Sequence, residues 1–314
     1  MPPEPRPLPA ETIDGLRPPL EGFPYFAHAD RFPLESHASG HSAINAWWLA
    51  DASFLVYGGG EFIEGALAGS PLPGQGFRVD WLGTREDNRG IVLANDSALV
   101  VVFRGTRLQV HTLLDSAAVV LLNQDDLWTD SQFIPAAGPS GWRAHSGFLK
   151  AFAEVSSRLD EVVAARRPGQ KLWLAGHSLG GALATLAAAH VGASAVQGLY
   201  TYGSPRVGDE AFTALLPPSV CRFVHRDDWV ATVPPALLGY AHAGDAVPVP
   251  GSPPRNFWND LASGAGEFGS ALREVARSLR LNTGDFPLKV AGLADHAPVY
   301  YATLLWNALL AAEG

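Results

Sequence analysis

Apolar residues first recur at helical spacing between Ser42 and Tyr57, where Ile44, Trp47, Trp48, Ala52 and Leu55 fall about 3.6 residues apart and predict a helix. Residues 58–76 are rich in Gly and Pro and read as a loop or insertion. Three strand signals follow in quick succession, Phe77 to Leu82, Gly90 to Ala94 and Ala98 to Phe103, separated by turns at Thr84 to Arg89 and Asn95 to Ser97. Turns this short imply antiparallel pairing. Beyond Phe103 the pattern changes to alternation: helix over Phe148 to Arg166, strand over Leu172 to Ala175, helix over Ala182 to His190, strand over Val196 to Tyr202, helix over Asp209 to Leu215 and strand over Val220 to His225. That alternation predicts a mostly parallel sheet covered by helices on both faces, an α/β architecture. Late helical patterns run from Glu267 to Leu281 and from Val299 to Leu310, with no internal repeat and no boundary signal after residue 40.

Composition adds a division at the start of the chain. Residues 1–35 hold nine of the 25 prolines, which excludes regular helix and central strand and predicts a draped or disordered arm over 1–40, ahead of one domain over 41–314. With 314 residues, 47% hydrophobic and 17% charged, that domain is long enough to bury a large core. The net charge of −9 repels nucleic acid and anionic membrane surfaces and fits a neutral or apolar substrate. Cys221 is the only cysteine, which excludes an intrachain disulfide and a cysteine-based zinc site. The N-terminus lacks the basic start and apolar core of a signal peptide, so the expected location is cytoplasmic, or secreted for a mature form whose leader has been removed. The longest apolar run, Ala297 to Ala312, is interrupted by Asn307 and falls short of the ~20 residues a membrane-spanning helix needs.

Chemistry enters at Gly176-His-Ser-Leu-Gly-Gly181, a Gly-x-Ser-x-Gly pattern. Ser178 can occupy a tight strand-to-helix turn only if its neighbours are nearly without side chains, and Gly176 and Gly180 meet that condition at two residues on either side. An apolar run precedes it and small helix formers follow it, the setting of a nucleophile elbow. The new helix points its free amides at any charge that forms beside Ser178, and the N–H of Leu179 is the first oxyanion donor. A serine nucleophile needs a base, and the base needs a carboxylate. Downstream, His190 sits within the elbow helix and cannot fold back, leaving His225, His242 and His296 as candidate bases and Asp227 and Asp228 as candidate acids.

Six pieces of the chain, in order, resemble the class 3 lipases, the fungal triacylglycerol lipase group and its bacterial relatives. They are Val101-Val-Phe-Arg-Gly-Thr106, His145-Ser-Gly-Phe148, Gly176 to Gly181, Tyr202-Gly-Ser-Pro-Arg-Val-Gly208, Phe223-Val-His-Arg-Asp-Asp228 with its following Val-Pro-Pro, and Asp295-His296. The resemblance covers roughly residues 45 to 310 and implies an α/β-hydrolase fold, with acyl esters as substrates, a lipid–water interface as the place of action, and no metal or organic cofactor. It also implies Ser178 as nucleophile, Asp228 as the acid, chosen over Asp227 by spacing to the Pro-Pro pair, and His296 as base, with His242 second. Thr106 matches the family's oxyanion residue, and Asp115 stands where an acid pins its hydroxyl. His145 and His225 match positions expected to make structural hydrogen bonds.

The stretch after Thr106 places Val110, Leu113, Leu114, Ala117 and Leu121 on one helical stripe, which suits either a core helix or the lid that the resemblance implies. Two other patterns carry no chemistry. Gly264-Ala-Gly-Glu-Phe-Gly269 matches a dinucleotide-binding glycine pattern but follows no strand, and His37 and His41 lack further metal ligands.

Overall fold

The computed structural model describes residues 2–9, 13–106, 135–138, 141–251 and 295–313. The stripe Val110 to Leu121, Asp115 and the late helix Glu267 to Leu281 lie outside them. The described strands are β1 (Arg78–Trp81), β2 (Gly90–Ala94), β3 (Ala98–Phe103), β4 (Pro135–Ala137), β5 (Arg143–His145), β6 (Lys171–His177), β7 (Val196–Tyr202), β8 (Val220–Val224) and β9 (Ala246–Pro248). Seven of them form one sheet in the order β1-β2-β3-β6-β7-β8-β9, with β4 and β5 paired separately. The first two pairings are antiparallel, as the short turns require, and every pairing from β3 to β9 is parallel. Asn95 locks the β2–β3 turn, its side-chain oxygen accepting from Ser97 N at 3.0 Å and Ala98 N at 2.9 Å. β4, β5 and β9 are three residues each, too short to register as alternation in the sequence.

Side chains alternate across the strands with a period of two, which divides the interior into two layers. Val100, Val102, Trp173, Tyr200, Tyr202 and Phe223 face α1 (Ala43–Leu55) and the C-terminal helix α6 (Pro298–Glu313). Val101, Phe103, Leu172, Leu174 and Leu199 face α3 (Ser146–Ala153), α4 (Ser156–Ala164) and α5 (Leu179–Val191). Ala182, Ala184, Ala187 and Ala188 of α5 are buried and let that helix lie close on the sheet.

Three helix expectations need correction, the first being the exclusion of helix from residues 1–35, which hold one short helix, Ile13–Leu16, ending just before Pro18 and Pro19. Residues 58–76 contain α2 (Gly60–Ala68), because Ile63 and Leu67 form a buried stripe at helical spacing while Gly59 and Gly69 fall at its caps and not inside it. The predicted helix over Phe148 to Arg166 is two helices, divided at Glu154 and Val155. The apolar stripe Phe152, Val155, Leu159 and Val162 continues across the break and keeps one buried face.

Ser42 caps α1, its hydroxyl accepting from Asn45 N at 3.1 Å. From Asn45 to Leu55 every residue of α1 is buried, since α6 and the N-terminal residues cover the side turned away from the sheet. Tyr25, Phe26, Ala29 and Phe32 join the same core layer, and Trp306 Nε1 donates to Glu4 O at 2.8 Å. Arg6 reaches the buried Asp51 on α1 with two hydrogen bonds of 2.7 and 2.9 Å. No helix of the described residues is long and apolar enough to cross a membrane. A mostly parallel sheet led by antiparallel strands, with helices on both faces and a strand–serine–helix turn on its central strand, is the α/β-hydrolase fold.

Candidate active site

β6 ends at His177 and α5 begins at Leu179, so Ser178 alone makes the reversal, at φ 59° and ψ −129°. A non-glycine residue in that region is strained, and the surroundings over-determine it. Ser178 N donates to Tyr202 O at 2.9 Å, while Ser178 O accepts from Gly181 N at 2.9 Å and Ala182 N at 3.2 Å. A Cβ on Gly176 would lie 2.3 Å from the Gly180 backbone, and one on Gly180 would lie 2.2 Å from Phe103 O. Both are required: the first lets the turn close, and the second lets the end of β3 press against the start of α5. Thr106, half-buried, comes three residues beyond that contact, and the Leu179 amide heads the helix. The first-turn amides of a helix have no acceptor inside it and so face outward from the elbow.

The parallel strands β7 and β8 end beside the same edge. A β-carbon on Gly203, just after β7, would meet Asp228 Oδ2 at 2.4 Å and His296 Nδ1 at 2.9 Å. His296 Nδ1 lies 2.9 Å from Asp228 Oδ1 and 2.8 Å from Oδ2. Asp228 is 1% exposed and His296 6%. Further donors hold the carboxylate: Tyr301 OH at 2.6 Å from Oδ2 and Val230 N at 3.0 Å from Oδ1. A carboxylate only accepts, so Nδ1 of His296 carries the hydrogen and Nε2 keeps the lone pair. That tautomer is the one a general base needs. Burial and the charge of Asp228 push the Tyr301 hydroxyl well above its ordinary pKa, which keeps it a donor.

The remaining candidates fall elsewhere. Asp227 is exposed, and Asp228 is the acid at the imidazole. His242 has a buried Nδ1 without a hydrogen-bond partner among the described residues, and burial together with Arg222 and Arg206 pushes its pKa down to about 3. His225 Nδ1 bonds Asp295 O at 2.9 Å, and His145 Nδ1 accepts from Phe148 N at 3.3 Å at the start of α3. Tyr301, Tyr57 and His177 escaped the sequence reading. His177 stood inside the elbow motif itself, and Tyr301 lies just over one turn beyond His296. Among the described residues no group of three or more His, Cys, Asp or Glu is arranged to hold a metal ion.

Comparison with known proteins bears directly on this site. Residues 100–238, which include Thr106, Ser178 and Asp228, match the family model described as lipase (class 3). Over that span the chain is similar to the class 3 lipases. Secreted mono- and diacylglycerol lipase 1 of Fusarium solani is 39% identical over 121 residues, covering 36% of this chain and 36% of that protein. A lipase of Rhizomucor miehei is 36% identical over 181 residues, covering 52% of this chain and 46% of that protein. The chain therefore spans less than half the length of both. The solved structure of Rhizomucor miehei triacylglyceride lipase is 25% identical, with coverage of 65% of this chain and 78% of that one and a TM-score of 0.46. The expectation of a cytoplasmic location finds no support among these relatives, one of which is named as secreted.

Proposed function

We propose that the protein is a serine hydrolase that cleaves acylglycerol esters at a lipid–water interface through an acyl-enzyme. The observation that carries this reading is the paired contact of His296 Nδ1 with both oxygens of the buried Asp228, on the sheet edge where Ser178 turns. In this mechanism Ser178 Oγ attacks the ester carbonyl as His296 Nε2 takes its proton, and the amides of Leu179 and Thr106 hold the resulting oxyanion. His296 returns the proton to the leaving alcohol, leaving an ester on Ser178. Water, deprotonated by the same nitrogen, then releases the fatty acid and restores the hydroxyl. Asp228 fixes the ring and stabilises its charged form. No step requires a metal or organic cofactor.

The Fusarium solani relative, named as a secreted mono- and diacylglycerol lipase, supports acylglycerols as the substrate class and secretion as the location in this reading. The first forty residues act in it as an arm clamped onto the hydrolase domain over 41–314, through Arg6 and the rings it meets. The test is the initial rate of hydrolysis of short- and long-chain glycerol esters through their solubility limits, with Ser178→Ala as blank. A jump in rate as the longer esters pass that limit is expected. Smooth saturation confined to short soluble esters would make the protein an esterase, and rates equal to the blank would end the hydrolase reading.

A further inference from the structure

His177 lies between Gly176 and Ser178 and is buried, yet the proposed chemistry does not use it. Its two ring nitrogens are both engaged, by groups far apart in sequence. Nδ1 is 2.8 Å from the hydroxyl of Tyr57, two residues beyond α1, and Nε2 is 2.6 Å from the carbonyl oxygen of His296. The Tyr57 hydroxyl also takes a hydrogen bond from the backbone of Gly105, the residue before Thr106.

The direction of every bond in this string follows from one end. A carbonyl only accepts, so Nε2 of His177 carries the hydrogen. Nδ1 of the neutral ring therefore accepts, which makes Tyr57 the donor and leaves its oxygen free to accept from Gly105 N–H. Each donor meets an acceptor, and no member can reverse without breaking the next. Burial and the neighbouring His296 hold His177 well below the ordinary histidine range, so the ring stays neutral where the string needs it. A charged ring here would also oppose the imidazolium on His296, whose ring centroid is 4.5 Å away. There is no slack at the other end either. A Cβ on Gly105 would lie 2.1 Å from Tyr57 Oη and 2.9 Å from His177 O.

We propose that Tyr57 and His177 are positioning residues that tie the end of the oxyanion strand to the main chain of His296, around the neighbour of the nucleophile. The inference rests on the triad reading above. Thr106 and His296 must address two sides of one reacting carbon, and a misplacement of about 1 Å at such a site costs as much as 100-fold. The string passes from one to the other through the residue next to Ser178, so the three are set against a common reference. Neither Tyr57 nor His177 takes part in the proton transfers proposed above.

The test uses the full chain, a soluble ester such as p-nitrophenyl butyrate, and three variants. His177→Leu removes both bonds and is expected to lower kcat by about 10- to 100-fold with KM within about twofold, since the loss falls on transition-state alignment and not on substrate binding. His177→Gln, whose amide N–H can stand where Nε2–H stood, is expected to recover most of that loss. Tyr57→Phe keeps the ring but cuts the link to Gly105 and is expected to lose about 10-fold in kcat. The downfield proton resonance of His296 Nδ1–H, held by Asp228, is expected to move in His177→Leu and Tyr57→Phe and to return in His177→Gln. Wild-type kcat and an unmoved resonance in Tyr57→Phe would overturn the string even if His177→Leu failed to fold. A wild type without Ser178-dependent turnover would instead overturn the hydrolase reading, and the resonance alone would then decide the string.

Discussion

Replacing Arg6 with alanine is predicted to cost about 3–5 kcal/mol of stability, because it strands a buried carboxylate. Asp51 on α1 is fully buried, and Arg6 supplies two of its hydrogen bonds, at 2.7 and 2.9 Å, with a further one from Phe26 N at 2.8 Å. The same guanidinium donates to Ala302 O at 3.2 Å and Pro24 O at 2.8 Å and lies 4.7 Å from the Phe23 ring and 5.4 Å from the Trp306 ring. One side chain thus joins the arm, α1 and α6, and no neighbouring cation stands in for it among these contacts. With an unfolding entropy of about 2.1 cal/mol/K per residue, a chain of 314 residues loses about 5–8 °C of Tm for that energy. The pH dependence has a definite sign. Burial already holds the Asp51 carboxyl above the usual range, and Arg6 is the largest influence lowering it, so the variant's Asp51 rises further. A folded state that binds a proton more readily than the unfolded one gains relative stability as pH falls through the raised value, and the deficit therefore narrows toward acid. Melting curves of wild type and Arg6→Ala near neutral pH and near pH 5 check both statements. A deficit under about 1 °C near neutrality, or one that widens toward acid, would refute the reasoning. Asp51→Asn in the Arg6→Ala background, which removes the stranded charge, is expected to restore part of the loss.

Asp228→Asn should lower kcat by about 10⁴-fold on any ester the wild type hydrolyses, with its melting temperature measured alongside. Its amide must face either Tyr301 OH or the Val230 N–H, both of which donate to the native carboxylate, and it offers His296 Nδ1 a donor where only acceptors stood. A variant within tenfold of wild type would remove Asp228 from the mechanism. His242 gives a second pH effect. Folded, it takes up its proton only near pH 3, whereas the unfolded side chain does so at about 6.5, so acid between those values favours unfolding. His242→Asn should flatten the fall of stability over that range, which denaturant midpoints at several pH values measure; an unchanged slope would refute it.

What could be read from the sequence was what local sterics dictate. Gly176 announces the elbow because a Cβ there collides with the Gly180 backbone four residues on, while Gly180, whose Cβ would meet the distant Phe103 O, is legible only as its motif partner; β2 and β3 announce themselves because each runs five or six residues beside a turn that Asn95 closes. The pairing of His296 with Asp228 spans 68 residues and was legible only through the family resemblance, in which spacing to the Pro-Pro pair chose Asp228 over Asp227, a residue that is exposed. The clamp of the arm was further out of reach: the Asn307 side chain accepts from the main-chain N–H of Arg6 and donates to its carbonyl across 301 positions, and nothing near Arg6 marks it as a core residue. α2 was misread for the opposite reason, since the density of glycine hid a stripe whose glycines lie mostly at its ends.

The tyrosines show why the outer parts of the site resist sequence reading altogether. Tyr200, Tyr202 and Tyr301 are all buried beneath the same sheet edge, and all have hydroxyls pushed above the ordinary pKa by that burial. Tyr200 donates to Gly40 O and Tyr202 to Ala46 O, which ties loops and helices together and does nothing to a reacting group. Tyr301 donates to Asp228 and Tyr57 to His177. All four carry the same side chain into the interior. What separates a packing tyrosine from a positioning one is the identity of a single acceptor, and here that acceptor lies 73 residues away in one case and 120 in the other. A nucleophile must be strained into place by its immediate neighbours and so leaves a local trace, while the groups that aim its partners need only arrive at the end of folding and leave none.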